Sequence, residues 1–188
     1  DGKILWEYSD WNCHIPVASA VDAGQNRILV AGGYELGTVM IKVARKSDGT
    51  FGVTEIFKHN NFGEHTKPPI LHNGYFYGQF STNSKRDGLV CMDMNGEIKW
   101  KTMRSPSFDK GSMILVDGVI IATDGANSLY LIDPSPDGYK QLASAKLLNV
   151  AEGADARFAT QNWAPLALSG GKLLIRDQGQ MKCVKVTR

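Results

Sequence analysis

Short apolar runs alternate with small polar turn residues along the whole chain. Met113 to Val116 and Val119 to Ala122, for example, are apolar runs separated only by the dipeptide Asp117-Gly118. Runs of this length, bounded by glycine, proline, asparagine or aspartate, are typical of β-strands. No segment shows the helical period that would align apolar residues on one face of a helix. The pattern therefore predicts an all-β protein.

The turn residues recur at a nearly constant period. One series consists of Asx-Gly dipeptides whose glycines are 47, 47 and 42 residues apart, and its members are Asp1-Gly2, Asp48-Gly49, Asn95-Gly96 and Asp137-Gly138. Both central residues of such a hairpin turn are expected to have positive φ. A second series of turns has spacings of 48, 44 and 53 residues, and it lies at Asn26, Gly74, Gly118 and Gly171.

A period in the forties with four short strands in each unit is typical of β-propeller blades. We therefore predict a single domain over residues 1–188, built from about four blades of four antiparallel strands. The predicted blades span approximately residues 10–57, 58–104, 105–148 and 158–188, and residues 1–9 form a closing or preceding strand.

The ends of the sequence leave two arrangements open. The phase of the repeat predicts that the chain begins with a fourth strand, Lys3 to Tyr8, and ends with a third strand, Met181 to Val186. These two strands could pair and close a four-bladed ring, which would remove the exposed strand edges. Alternatively, both ends adjoin further blades, or a second chain, and the sequence is a fragment of a larger ring. We expect the fragment.

Two segments resemble the blade motif of the PQQ-like (quinoprotein alcohol dehydrogenase-like) β-propeller family. Gly2 precedes Trp6 by four residues, and the same spacing separates Gly96 from Trp100 in a segment that begins at Asp93. A third, degenerate copy keeps Asp133 and Gly138 but has Leu142 at the tryptophan position.

The resemblance implies structural roles for these motif residues, with each indole packed between adjacent blades. It also implies that the chain is similar to the C-terminal half of bacterial cell-envelope propellers, whose complete rings have about eight blades. The expected location, periplasm or cell envelope, comes from this resemblance, since the sequence begins without a signal peptide.

Charge and hydropathy argue against two classes of partner. The chain has 21 basic and 19 acidic side chains, with a formal net charge of +2, so nothing favours nucleic acid as a partner. No apolar run is long enough for a membrane-spanning helix.

Candidate contact residues come from the segments that lead into the first strand of each blade, because these segments converge on one face of a propeller. This set, which would suit an anionic or planar ligand, consists of His14, Lys67, Lys110 and Trp163. The longest loop between blades adds Glu152, Asp155 and Arg157 as secondary candidates, since loops on rigid scaffolds often carry recognition.

The sequence gives no set of catalytic or metal-binding residues. His59, His65 and His72 lack the spacing of ordinary zinc ligands, and no nucleophile motif is present. Our leading hypothesis is a noncatalytic binding or scaffold protein that presents its ring face and loops to a protein or saccharide-like partner. The alternative is a fragment of a PQQ-dependent alcohol dehydrogenase-like oxidoreductase, for which the resemblance implies PQQ and calcium as cofactors.

Overall fold

The computed structural model describes residues 1–81, 86–149 and 161–186. These residues form four antiparallel sheets in chain order, and the all-β prediction is confirmed. None of the described residues belongs to a helix, so none forms a helix long and apolar enough to cross a membrane.

Each sheet is a meander in which consecutive strands are neighbours. Sheet 1 contains β1 (Val21–Asp22), β2 (Arg27–Gly32), β3 (Gly37–Arg45) and β4 (Phe51–His59). Sheet 2 contains β5 (Ile70–His72), β6 (Tyr75–Ser81), β7 (Arg86–Asp93) and β8 (Ile98–Lys101). Sheet 3 contains β9 (Met113–Val116), β10 (Val119–Thr123), β11 (Ser128–Asp133) and β12 (Lys140–Lys146). Sheet 4 has three strands, which are β13 (Ala167–Ser169), β14 (Lys172–Arg176) and β15 (Met181–Lys185).

Two kinds of turn join these strands. Asn73-Gly74 and Asp117-Gly118 connect the first two strands of sheets 2 and 3, and both residues of each pair have positive φ, as a tight two-residue hairpin requires. The Asx-Gly series at Gly49, Gly96 and Gly138 differs from the prediction, because in each pair only the glycine has positive φ (87° at Gly96). Here the N–H of Gly96 donates to the carbonyl of Asp93 (3.2 Å). The glycine thus ends a four-residue turn, which the Asp93 carboxylate caps by accepting the N–H of Asn95 (2.8 Å).

The four sheets pack face to face in chain order. Clusters of buried apolar side chains lie between sheets 1 and 2, between sheets 2 and 3, and between sheets 3 and 4. Successive strand residues point to opposite faces, so Phe76 joins the first cluster and its neighbour Tyr77 joins the second. Burial of both residues on β6 shows that sheet 2 is covered on both faces.

The segment that precedes β1 covers the outer face of sheet 1, which points away from sheet 2. Val39 lies on this outer face and is fully buried. Lys58 extends from β4 and donates to the carbonyl of Asp10 (3.0 Å). The hydroxyl of Tyr8 donates to the carboxylate of Glu55, also on β4. The N-terminal segment is therefore fixed to sheet 1.

The predicted strand from Lys3 to Tyr8 does not form. These residues lie outside the strands, and Ile4 is 69% exposed. The pairing with Met181 to Val186 is also absent, so the described residues do not form a self-closed ring. The physical reason is that Tyr8 and Asp10 are held against sheet 1, at the opposite end of the row of sheets from β15.

The two motif tryptophans have different surroundings. Trp100 packs between sheets 2 and 3, and its indole N–H donates to the carbonyl of Ser135 (2.8 Å). Trp6 follows Gly2 (φ 77°) in the segment without strands and is 37% exposed, so it does not pack between sheets. In the degenerate copy, the carboxylate of Asp133 pairs with the ammonium of Lys140 (2.7 Å), close to Gly138 in the same turn.

Candidate functional site

Three of the predicted contact residues come together on one surface. The ammonium of Lys67 donates to the carbonyl of Trp163 (2.6 Å), and the ammonium of Lys110 lies 5.3 Å from the centroid of the Trp163 ring. The hydroxyl of Thr66 donates a long hydrogen bond to the carbonyl of Lys110 (3.5 Å). We call the surface formed by residues 63–67, 109–111 and 161–164 the loop face. It brings together the segments that lead into sheets 2, 3 and 4.

The two lysines of the loop face differ in how their charges are balanced. Lys110 forms an ion pair with the carboxylate of Asp109, with distances of 2.9 and 3.2 Å to the two oxygens. Lys67 forms no ion pair with any residue that the structure describes. Burial lowers the pKa of the Lys67 ammonium, and the negative charge of Glu64 acts in the opposite direction. Lys67 is therefore the cation of this surface that lacks a close anionic partner.

Glu64 is a fully buried residue that precedes Lys67 by three positions in the sequence. Its oxygens accept the N–H groups of Gln79 (2.7 Å) and His65 (3.1 Å). Burial raises the pKa of Glu64 to about 8, although these hydrogen bonds and the charge of Lys67 lower it. The carboxyl is thus mostly protonated at neutral pH, and it leaves most of the positive charge of Lys67 uncompensated. Perturbed groups of this kind are frequent at functional sites.

Buried polar groups fix the loop face to the sheets below it. The Gln79 amide donates to the carbonyl of Thr123 (2.7 Å) and accepts the N–H of Gly111 (2.7 Å), which joins sheet 2 to sheet 3. The hydroxyl of Ser112 accepts the N–H of Leu166 (3.0 Å), which joins sheet 3 to the segment before sheet 4. Because these bonds are buried, they hold the three segments in a fixed relative position.

Asn162 is the buried polar residue next to Trp163. Its N–H donates to the carbonyl of Gly125 (2.9 Å). The side chain is fully buried, yet neither atom of its amide has a hydrogen-bond partner among the residues that the structure describes. Buried amides without partners are uncommon in folded proteins. Asn162 is therefore a further candidate for a ligand contact, which the sequence analysis did not identify.

His14, the fourth residue of the predicted set, is not part of this cluster. His14 is exposed beside a separate hollow of about 420 Å³, which Tyr34 also lines. The Tyr34 ring packs against the ring of His65 (4.9 Å between centroids). Among the described residues, His14 forms no hydrogen bond or ring contact with Lys67 or Trp163. The secondary candidates, Glu152, Asp155 and Arg157, lie outside the described residues.

A cleft of about 360 Å³ beside Trp163 was not predicted. Gln161, Arg176 and Gln178 line it together with Trp163. Arg176 is the last residue of β14. The turn that follows β14 lies at the same end of the strands of sheet 4 as the segment before β13. In a meander, neighbouring strands are antiparallel, so the loop that enters the first strand and the loop that leaves the second strand lie at the same end of the sheet. That geometric rule could have placed Arg176 at the end of sheet 4 that carries Trp163, but it does not reveal the cleft.

The groups that converge here are ammonium and guanidinium donors, an indole face and side-chain amides. These groups suit the binding of a polar or anionic molecule. Within the described ranges, no three histidine, cysteine, aspartate or glutamate side chains come together in a way that could hold a metal ion.

Comparison with known proteins gives a similarity in fold alone. No family model matches the sequence, and no curated protein matches it. Among solved structures, the chain is similar to the crystal structure of the computationally designed Ika4 protein, with a TM-score of 0.60 over 100% of both chains and 7% sequence identity. The chain is therefore similar in fold to that protein at very low sequence identity.

Proposed function

We propose that this protein is a noncatalytic β-propeller binding protein of the bacterial cell envelope, and that its loop face binds a saccharide-like ligand. The location rests on the resemblance to PQQ-like envelope propellers. The ligand class rests on the exposed indole of Trp163 and on the lysine side chains around it.

Three features support the propeller assignment. The sheets are consecutive meanders, they pack face to face in chain order, and Trp100 lies between two of them with its N–H bonded to backbone. In a propeller the sheets fan around a central axis. An experimental structure in which the four sheets stack in flat layers, without a common axis, would contradict the assignment.

The observation that carries the function is the convergence of Lys67 and Lys110 on Trp163. Three segments far apart in the sequence supply these residues, and buried hydrogen bonds hold the segments in place. A ligand that contacts the loop face therefore meets groups whose positions are already fixed, which lowers the entropic cost of binding.

The chemistry of the loop face favours a saccharide. A sugar ring presents a C–H face that can cover an indole, and its hydroxyls both donate and accept hydrogen bonds. Trp163 is 37% exposed and supplies the indole face. The ammonium groups of Lys67 and Lys110, both close to Trp163, supply hydrogen-bond donors.

The test is a screen of immobilised saccharides followed by calorimetry with the best binder. Trp163→Ala should weaken that binding by about tenfold or more, because a central aromatic contact often contributes 2 kcal/mol or more. Trp6→Ala is a matched control, since Trp6 is equally exposed (37%) but lies outside the loop face. We expect it to bind like the wild type.

Three results would overturn the proposal. The first is equal affinity of the Trp163→Ala variant and the wild type. The second is a protein partner captured at the loop face with no saccharide bound. The third is tight binding of PQQ with calcium, together with dye-linked alcohol oxidation, which would replace the proposal with the quinoprotein alternative.

A further inference from the structure

The cleft beside Trp163 contains a cation, Arg176, whose side chain has no partner among the described residues. Arg176 is exposed at the end of β14, opposite Met181 in the register of sheet 4. Its guanidinium makes no hydrogen bond or ion pair with any residue that the structure describes. Its guanidinium is planar and carries donors in a fork that matches the two oxygens of a carboxylate.

Asp177, the next residue, does not neutralise Arg176. Its carboxylate is buried and accepts the N–H groups of Gly179 (2.8 Å) and Gln180 (2.9 Å), and it also accepts the side-chain amide of Gln180 (2.9 Å). These bonds direct the carboxylate into the turn after β14. The charge of Arg176 therefore stays available to a ligand in the cleft.

Two amides line the cleft close to this cation. The side chain of Gln178 donates to the carbonyl oxygen of Gln161 (2.9 Å). This bond fixes both side chains, and it leaves the NH₂ group of Gln161 and the carbonyl oxygen of Gln178 without a described partner. A donor and an acceptor side by side match sugar hydroxyls, which act in both ways.

We propose that this cleft binds an acidic sugar residue, whose carboxylate pairs with Arg176 and whose ring covers Trp163. The inference rests on the proposed function and specifies the class of saccharide. The cleft volume of about 360 Å³ is within the range of small-molecule sites. The ammonium of Lys67, which donates to the carbonyl of Trp163 and forms no ion pair with a described residue, adds to the positive potential that an acidic chain would meet.

The test compares trigalacturonic acid with its fully methyl-esterified form, since the two share the same sugar rings and differ at the carboxyl groups, which are charged in the acid and neutral and methylated in the ester. Calorimetry of the wild-type protein should show binding of the acid that is about tenfold or more tighter than binding of the ester, as expected for a charge-assisted pair. Arg176→Gln should remove this difference and leave the affinity for the ester unchanged. Arg176→Lys should keep part of it, because the charge remains but the fork is lost.

Arg45→Gln is the control variant. Arg45 lies at the end of β3, in sheet 1, and its side chain contacts only the turn at Gly49. We expect this variant to distinguish acid from ester as the wild type does. Thermal unfolding of each variant establishes that the Arg176 variants remain folded.

The outcomes separate this inference from the proposed function. If acid and ester bind equally, or if only neutral saccharides of the screen bind, the carboxylate inference is wrong and the proposed function stands. If no saccharide binds to the wild type, both are wrong. A difference between acid and ester that persists in Arg176→Gln would assign the carboxylate to another cation and overturn the inference.

Discussion

Sheets 2 and 4 contain equivalent hairpins in different surroundings. Tyr77 pairs with Cys91 in sheet 2, and Leu174 pairs with Cys183 in sheet 4. Tyr77 and Leu174 are each the third residue of the second strand, directly after a glycine-containing turn. Tyr77 is fully buried against sheet 3, whereas Leu174 is 40% exposed on the outer face of sheet 4.

The difference shows that one sequence pattern serves two environments. In sheet 2 both faces of the strands are buried, while β14 alternates between buried and exposed residues. Sheet 4 is held by an apolar cluster, by hydrogen bonds of the segment before it, and by bonds from Gln180 and Lys182 to residues 147–149. The hydrogen bonds of the preceding segment belong to the same stretch of chain that carries Trp163. The stability of sheet 4 is therefore linked to the geometry of the loop face.

The largest expected effect is on the free energy of unfolding at the two equivalent positions. Tyr77→Ala should cost about 3–5 kcal/mol, because it leaves a cavity in a fully buried cluster. Leu174→Ala should cost about 1 kcal/mol or less, since much of the side chain is already exposed. Urea unfolding monitored by circular dichroism measures both values. Equal costs would show that the outer face of sheet 4 is buried in solution.

An intermediate effect concerns the segments that precede the two sheets. Glu64, before sheet 2, has a pKa raised to about 8, compared with an ordinary value of 4.5. Between these two pH values the folded protein binds more protons than the unfolded chain, so this group makes stability fall as pH rises, by up to about 1.4 kcal/mol per pH unit. Glu64→Gln should flatten this part of the pH dependence.

The measurement is urea unfolding of the wild type and the variant at several pH values from 5 to 8. Loss of an acceptor makes Glu64→Gln less stable by an amount that does not depend on pH, so the slope is the quantity to compare. Glu97→Gln, at a surface side chain, should keep the wild-type slope. An unchanged slope in Glu64→Gln would mean that Glu64 is ionised in the folded protein.

The smallest effect on stability is expected from labelling of the two equivalent cysteines. Cys183 is exposed and should react with a thiol reagent in the folded protein, while Cys91 is buried. Burial raises the pKa of the Cys91 thiol to about 11, which also slows its reaction. Protein labelled at Cys183 should keep its free energy of unfolding within about 0.5 kcal/mol of the unlabelled value. Mass spectrometry after timed labelling and digestion identifies the reacted residue, and rapid reaction at Cys91 would contradict the packing of sheets 2 and 3.

The sequence predicted the sheets well because their signals are local. Turns such as Asn73-Gly74 and Asp117-Gly118 require left-handed backbone, which few residues other than asparagine, aspartate and glycine adopt. The segment from Lys3 to Tyr8 has the same local pattern but does not form a strand. Its conformation is decided by distant partners, the carboxylate of Glu55 and the ammonium of Lys58, which no local pattern reveals.

The candidate site was predicted only in part for the same reason. Lys67, Lys110 and Trp163 were found because the repeat places them at equivalent points before three sheets. His14 holds the same place before sheet 1 but lies at a separate hollow. Arg176 was missed because an arginine at a strand end is indistinguishable from an ordinary surface residue until the cleft is visible.

The most direct test of the loop face uses fluorine NMR of protein labelled with 5-fluorotryptophan. The chain has four tryptophans, which are Trp6, Trp11, Trp100 and Trp163, so each gives one resonance. On addition of the saccharide with the highest affinity in the screen, we expect the Trp163 resonance to shift while those of Trp6 and Trp100 stay unchanged. A Trp163 resonance that does not move in the saturated complex would contradict the account.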